Sequence, residues 1–253
     1  MTTIGVLVRP PTKRATNETI DLLEHVDFDA IFIDLPRDLE CYLLDYLKHK
    51  NFELLVDQIC EAIPQEDFPS SIIRGYEKLL SAISHVARGR RVYCYGSVLK
   101  NKYETELSYY TVQLTLHDSI TGKVSVDKWL NILTSRNYNF SNWIKEEAEY
   151  VASEAEKHNT PICIAGYGGF TLKKNLSNYF RSWIKYTGQP FHLPPIHVLT
   201  RIMSIRNMDQ KEIVKLIKEH IKFVREFVIP YGLEDGLELW SKKKLYWLIP
   251  PTQ

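Results

Sequence analysis

Charged and glycine residues gather at three places where short apolar runs stop. Arg9, Lys13 and Arg14 follow Ile4-Gly5-Val6-Leu7-Val8, and Asp34, Arg37 and Asp38 follow Ile31-Phe32-Ile33. Gly166, Tyr167, Gly168 and Gly169 follow Ile162-Cys163-Ile164-Ala165, with Lys173 and Lys174 just beyond. Cations around a glycine turn, whose backbone amides are open, suit a small anionic ligand such as phosphate, a carboxylate or a nucleotide. The ligand-binding candidates are therefore Arg9, Lys13, Arg14, Gly166, Tyr167, Gly168, Gly169 and Lys173; Ser97, Lys100 and Lys102 after a third apolar run add to the same basic mouth. Asp34 is the carboxylate of the group, and it has an ordinary alternative as cap of a helix begun by Pro36.

Other chemistries lack their residues. Gly166-Tyr167-Gly168-Gly169 is neither a Walker loop nor a GxGxxG turn, and no GxSxG occurs. Cys94 and Cys163 sit inside apolar runs, and Cys41 and Cys60 form no CxxC pair, so neither a thiolate nucleophile nor a zinc knuckle is expected. His192 and His197 flank Pro194-Pro195, which favours an extended chain that holds the imidazoles apart. No metal and no cofactor is expected.

The elements that must position these residues follow from apolar periodicity. Thr3 to Val8, Asp29 to Ile33, Arg91 to Ser97 and Pro161 to Ala165 read as buried strands. Helices are expected from a Thr16 or Asn17 cap, through Leu39–Leu47, over Asn51–Ile63, and over Pro69–Ala87 with Ile72, Tyr76, Leu79, Leu80 and Ile83 on one face. Further helical patterns run over Lys102–Thr134, over Asn139–His158 with Ser141 as cap, over Phe170–Trp183, and from Asp209 to Val228, where Pro230-Tyr231-Gly232 stops the run. Leu233–Trp240 suggests a short helix, and Lys244–Ile249 a last strand or a docked tail. Strand–helix–strand alternation predicts an α/β fold: a central, mostly parallel sheet of about four or more strands flanked by helices. The expected organisation is a single α/β domain over residues 1–253, with a helical insertion between strands three and four at 101–160 and a mainly helical C-terminal extension at 185–253.

Charge sets the classes of partner. Lys plus Arg number 32 against 31 Asp plus Glu, so no global field recruits nucleic acid or an acidic membrane, and neither is expected as a partner. No apolar run approaches the ~18 residues of a membrane span. Dispersed thiols and the lack of a signal-like start point to a cytoplasmic protein that binds a small anionic ligand or a protein partner.

Three short motifs resemble those of the TraB, ChaN and erythromycin-esterase-like superfamily. Glu146-Glu147-Ala148-Glu149-Tyr150-Val151-Ala152 resembles its E-R-D-x-Y-M-A helix, Ile162 to Gly169 its V-V-x-V-G-x-G-H strand, and Asp34-Leu35-Pro36-Arg37 its acidic motif ending in Arg. The resemblance covers residues 3–180 and implies a metal-dependent hydrolase or peptidase; an alternative reading is a diverged hydrolase of ester, peptide or phosphoester bonds, with Asp34 or Glu146 as general base and Arg37 as oxyanion stabiliser. The family's metal-binding histidines are not carried over: Arg9 or Pro10 and Gly169 stand at those positions, Glu147 stands for the helix Arg, and Asp34 is a shorter acid. That substitution of cations for ligands implies a non-metal domain binding an anion. Gly168-Gly169-Phe170 before Lys173 is also similar to the glycine turn of CARF domains, which implies nucleotide sensing.

Overall fold

The computed structural model describes residues 2–245. The chain packs as two compact units: unit 1 comprises the residues up to Pro10, Arg14–Thr105 and Ser141–Gly188, and unit 2 comprises Pro11–Lys13, Glu106–Phe140 and the residues from Gln189 onward.

In chain order the elements of unit 1 are β1 (Thr3–Val8), α1 (Lys13–His25), β2 (Ala30–Pro36), α2 (Glu40–His49), α3 (Phe52–Ala62), α4 (Ser70–Arg74), α5 (Glu77–Val86), β3 (Arg91–Gly96), the start of α6 (Val98–Thr121), the end of α7 (Val126–Ala155), β4 (Pro161–Ala165), α8 (Gly169–Leu176) and β5 (Arg181–Tyr186). The strands form one parallel sheet in the order β3-β2-β4-β1-β5. Buried β-branched and aliphatic residues explain why the inner strands form: every residue of β4 is buried, as a strand covered on both faces requires. Leu7, Ile31, Ile33, Val92, Cys94, Ile162 and Ile164 share one core with Leu23, Leu43, Ile59 and Leu80 from the helices. Burying each such aliphatic side chain contributes roughly 1.5–3 kcal/mol, which makes this core the main support of the sheet.

Register brings three strand ends level. Val8 pairs with Ala165 and Ile33 with Ile164, so Arg9 and Gly166 leave β1 and β4 side by side, with Asp34 near them in the last residues of β2. The chain leaving β2 turns toward β3, whereas the chain leaving β4 goes the other way to β5. Neighbouring strands whose connections diverge leave a crevice at their carboxyl ends, where ligands of open α/β sheets bind.

Unit 2 contains the remainder of α6 and α7, then α9 (Pro195–Met203), α10 (Gln210–Phe223), a π-helical turn at Val224–Val228 and α11 (Ile229–Lys244). Trp129, Leu133, Ile196, Leu199, Ile213 and Ile217 form its core, and Phe223, Leu237 and Trp240 a smaller cluster.

Several boundaries differ from the sequence expectation for local reasons. A fifth strand, β5, occupies residues assigned to the end of a helix: α8 stops at Leu176, and Arg181-Ser182-Trp183-Ile184-Lys185-Tyr186 pairs along β1. Its alternating charged positions suit an edge, and Gly5 makes room for it, since a Cβ there would lie 2.3 Å from the Trp183 ring. The helix expected over Pro69–Ala87 breaks at Gly75-Tyr76 into α4 and α5. Ser141 caps nothing, because α7 runs unbroken through it, and α1 starts before Thr16, which lies buried within the helix. Gly232, at φ 77° and ψ 172°, breaks the helical run as expected, and a second helical segment follows it from Leu233 to Lys244. Asp209 caps α10 as expected, its side chain accepting from the Glu212 amide. The strand or tail expected at Lys244–Ile249 lies outside the described residues beyond Leu245, and Lys244 itself closes α11.

Candidate functional site

Asp34 lies two residues before the end of β2, and its side chain caps no helix. The single 3₁₀ turn Arg37–Leu39 that follows has Pro36 before it and no side-chain cap. Asp34 Oδ1 instead accepts from the Tyr76 hydroxyl at 2.6 Å, and Oδ2 from the Gly166 amide at 3.0 Å. Tyr76 reaches it from the break between α4 and α5, so the interruption that periodicity missed is what positions the donor. Burial first, and then the Asp34 charge, push the Tyr76 phenol well above its ordinary range, so it stays a protonated donor. An ionised carboxylate has about four acceptor positions. Two on Asp34 are filled from the described residues, and the side chain is only partly buried.

Arg9 lies beside this pair. Its amide continues the β1–β4 ladder by donating to Ala165 O at 2.8 Å, and its side chain is 7% exposed. The guanidinium donates to Thr16 Oγ1 at 3.1 Å and sits 4.8 Å from the centre of the Tyr76 ring, a cation–π contact. No carboxylate among the described residues forms an ion pair with it.

Four other cations of the expected basic mouth are matched by acids. Arg37 pairs with Glu146 at 2.6 Å and lies 4.9 Å from the centre of the Tyr150 ring. Lys100 pairs with Glu147 at 2.6 Å and Lys102 with Asp67 at 2.9 Å. Lys13 pairs with Asp235 in unit 2 at 2.8 Å. Arg14 is half-buried in α1, and Lys173 and Lys174 stand in the last turn of α8. The structure therefore brings Arg9, Asp34 and Gly166 together, joins Arg37 to Glu146, and engages Lys13 elsewhere.

The glycine turn is shaped by packing. None of Gly166, Gly168 and Gly169 has a positive φ. A Cβ at Gly169 would lie 2.6 Å from Val8 Cγ2 and 3.2 Å from Ala165 Cβ, so glycine there lets the start of α8 press against β1. Of the four residues, Gly166 is the one whose amide serves the Asp34 carboxylate. Tyr167 is half-buried, and burial pushes its phenol up.

Two residues that were not among the candidate site residues belong to this region. Glu147 is 4% exposed and Tyr95 2% exposed. Burial raises the Glu147 carboxyl, with Lys100 opposing and the Asp34 and Glu146 charges adding to the rise. Tyr95 donates to Ile164 O at 3.0 Å; burial, then the charges of Asp34 and Glu147, raise its phenol. A signal for Glu147 exists in the sequence: Ile144, Ala148, Val151 and Ala155 form the buried stripe of α7, and position 147 falls on it at i+3 from Ile144. A glutamate inside an apolar stripe needs a partner, which Lys100 supplies.

Burial raises the Cys94 and Cys163 thiols, which keeps them from acting as thiolates. Among the described residues no three His, Cys, Asp or Glu side chains cluster to hold a metal ion, and no helix is long and apolar enough to cross a membrane. No protein-family model, no curated protein and no solved structure matches this chain.

Proposed function

We propose that unit 1 is a hydrolase body whose working carboxylate is Asp34, acting as general base on water that attacks an ester, peptide or phosphoester. The observation that carries this reading is the half-filled carboxylate at the crevice. Tyr76 and Gly166 fix its orientation while about two acceptor positions stay open to a water proton. In the reaction the water proton passes to Asp34, the water oxygen bonds to the acyl carbon or phosphorus, and the leaving oxygen or nitrogen takes that proton from Asp34 as its bond breaks, which restores the carboxylate. Glu146, tied to Arg37, is then a positioning residue for that guanidinium. The hydrolase class is also the one implied by the motifs at Asp34–Arg37 and Glu146–Ala152. A screen of chromogenic ester, peptide and phosphoester substrates tests the reading on the whole chain. Asp34→Asn is expected to lower the detected turnover about 100-fold or more; turnover unchanged in that variant contradicts it.

A second reading, in which the crevice holds an anion without turnover, is favoured by Arg9, a buried guanidinium with no ion pair to a carboxylate among the described residues. Matching Arg37, Lys100, Lys102 and Lys13 with acids leaves this reading less cationic surface than composition suggests. Calorimetric titration with phosphate, small carboxylates and nucleotides checks it. Binding that is lost in Arg9→Met supports the anion site, and no heat with any of them removes it.

A further inference from the structure

Helix α6 buries one side, where Asp118 is hydrogen-bonded, and leaves an apolar side in water. In unit 2 its inner side carries the buried Thr115 and Asp118 and the half-buried Leu114, which packs on the Trp129 core. Its outer side exposes Tyr109 (61%), Val112 (63%), Leu116 (60%) and Ile120 (76%), spaced three and four residues apart, with Tyr110 (56%) alongside. That spacing draws one stripe along about three turns of helix. A helix of unit 2 that faces water looks different: α10 turns Lys211, Lys215, Lys218 and Lys222 outward while Ile213 and Ile217 are buried. An apolar stripe left in water on one helix, beside ordinary amphipathic patterning on another, marks a contact surface.

We propose that this face of α6 pairs with the same face of a second copy of the chain, in an antiparallel, two-fold symmetric contact. Charge and area identify the occupant. Between Ser108 and Ile120 the exposed face has no lysine, arginine or carboxylate, and its polar residues are Ser, Gln and His117, whose Nδ1 lies 2.9 Å from Asp118 Oδ1. A two-fold contact sets each residue against its own neighbourhood, so a fixed charge on the face would meet its like; here there is none. A partner of different sequence is ordinarily steered by complementary charge, for which this face offers no handle. The five apolar residues together expose on the order of 600 Å² per copy, so a contact that covered them fully would remove up to about 1,200 Å² from water, the lower end of specific interfaces.

Sedimentation equilibrium of the whole chain between about 1 and 100 μM tests the pairing. The wild type is expected to reach twice the chain mass within that range, and Leu116→Lys to weaken association about 100-fold with an unchanged helical circular dichroism spectrum. Val112→Lys, at another exposed position, is expected to do the same, whereas Tyr179→Lys, exposed on unit 1, is expected to leave the dimer intact. A wild type that stays monomeric at about 100 μM overturns the proposal, as does a dimer indifferent to both α6 variants. Co-sedimentation of the wild type with lipid vesicles, lost in Leu116→Lys while the free protein is monomeric, also overturns it and assigns the face to a membrane surface.

Discussion

Asp34 in unit 1 and Asp118 in unit 2 are both carboxylates held by neighbours, and the difference lies in how completely. Asp118 has a side chain with 0% exposure and accepts from His117 Nδ1, the Ser125 hydroxyl, the Ser125 amide and the Trp129 indole at 2.8–3.0 Å. Burial pushes its carboxyl up, and the hydrogen bonds from His117, Ser125 and Trp129 outweigh burial and bring it below the ordinary value. All four acceptor positions are used to close the α6–α7 hairpin. Asp34 gives only two of its positions to the described residues and remains partly open near the end of a strand. A filled carboxylate is a structural clamp, whereas a half-filled one at a crevice has capacity left for a ligand or water.

The contrast predicts different costs of removal. Asp118→Ala leaves the Trp129 N–H and the Ser125 N–H buried without an acceptor, and is expected to cost about 3 kcal/mol or more, read from the urea midpoint. Asp34→Ala is expected to cost about 1 kcal/mol, because only two donors lose an acceptor and the Asp34 side chain is partly exposed. Equal losses would erase the distinction between clamp and site. Lys100→Met strands the buried Glu147 carboxylate and is expected to cost about 3 kcal/mol, most of it recovered in the double variant with Glu147→Leu. Failure of the second change to recover stability would show that the pair does not act as a unit.

A pH series separates the units further. His220 is 6% exposed, its ring set edge-on to Trp129 at 5.7 Å, with no hydrogen-bond partner for either nitrogen among the described residues. Burial holds its pKa down to about 4, and burial with the nearby charges of Arg136 and His220 holds His197 down to about 3. Unfolded histidines take up protons near 6.5. The stability associated with these two neutral imidazoles is therefore full above about pH 6.5 and declines as pH falls toward 4 and 3. The depressed Asp118 carboxyl adds a loss that begins below its ordinary value of 3.8. Urea midpoints that stay level from pH 7 to about 4.5 would contradict the histidine part. The smallest effect in the series is a gain: His220→Phe replaces two unpaired nitrogens with ring carbons and is expected to add about 1 kcal/mol at neutral pH.

Much of unit 1 was legible in the sequence because parallel inner strands are short, wholly apolar and bounded by turn residues, as Pro161–Ala165 shows. The edge strand β5 was not, since Arg181-Ser182-Trp183-Ile184-Lys185-Tyr186 lacks that apolar run and is defined by pairing with β1. The level of Arg9, Asp34 and Gly166 could be read as strand ends, but their alignment depends on strand order and register, which are long-range facts. Tyr76 looked like one more apolar position of a helix; only the break at Gly75 turns it toward Asp34. Counting cations at the mouth misjudged its charge for the same reason, because the acids that match Arg37 and Lys100 come from α7, about 50 or more residues away in sequence.

The most direct test is Asp34→Asn, measured at once for urea midpoint and for turnover across ester, peptide and phosphoester substrates. A midpoint within about 1 kcal/mol of wild type together with about a 100-fold loss of turnover is the predicted result. A midpoint lowered as far as that of Asp118→Asn, with turnover per folded molecule unchanged, would contradict it and make Asp34 a second structural clamp.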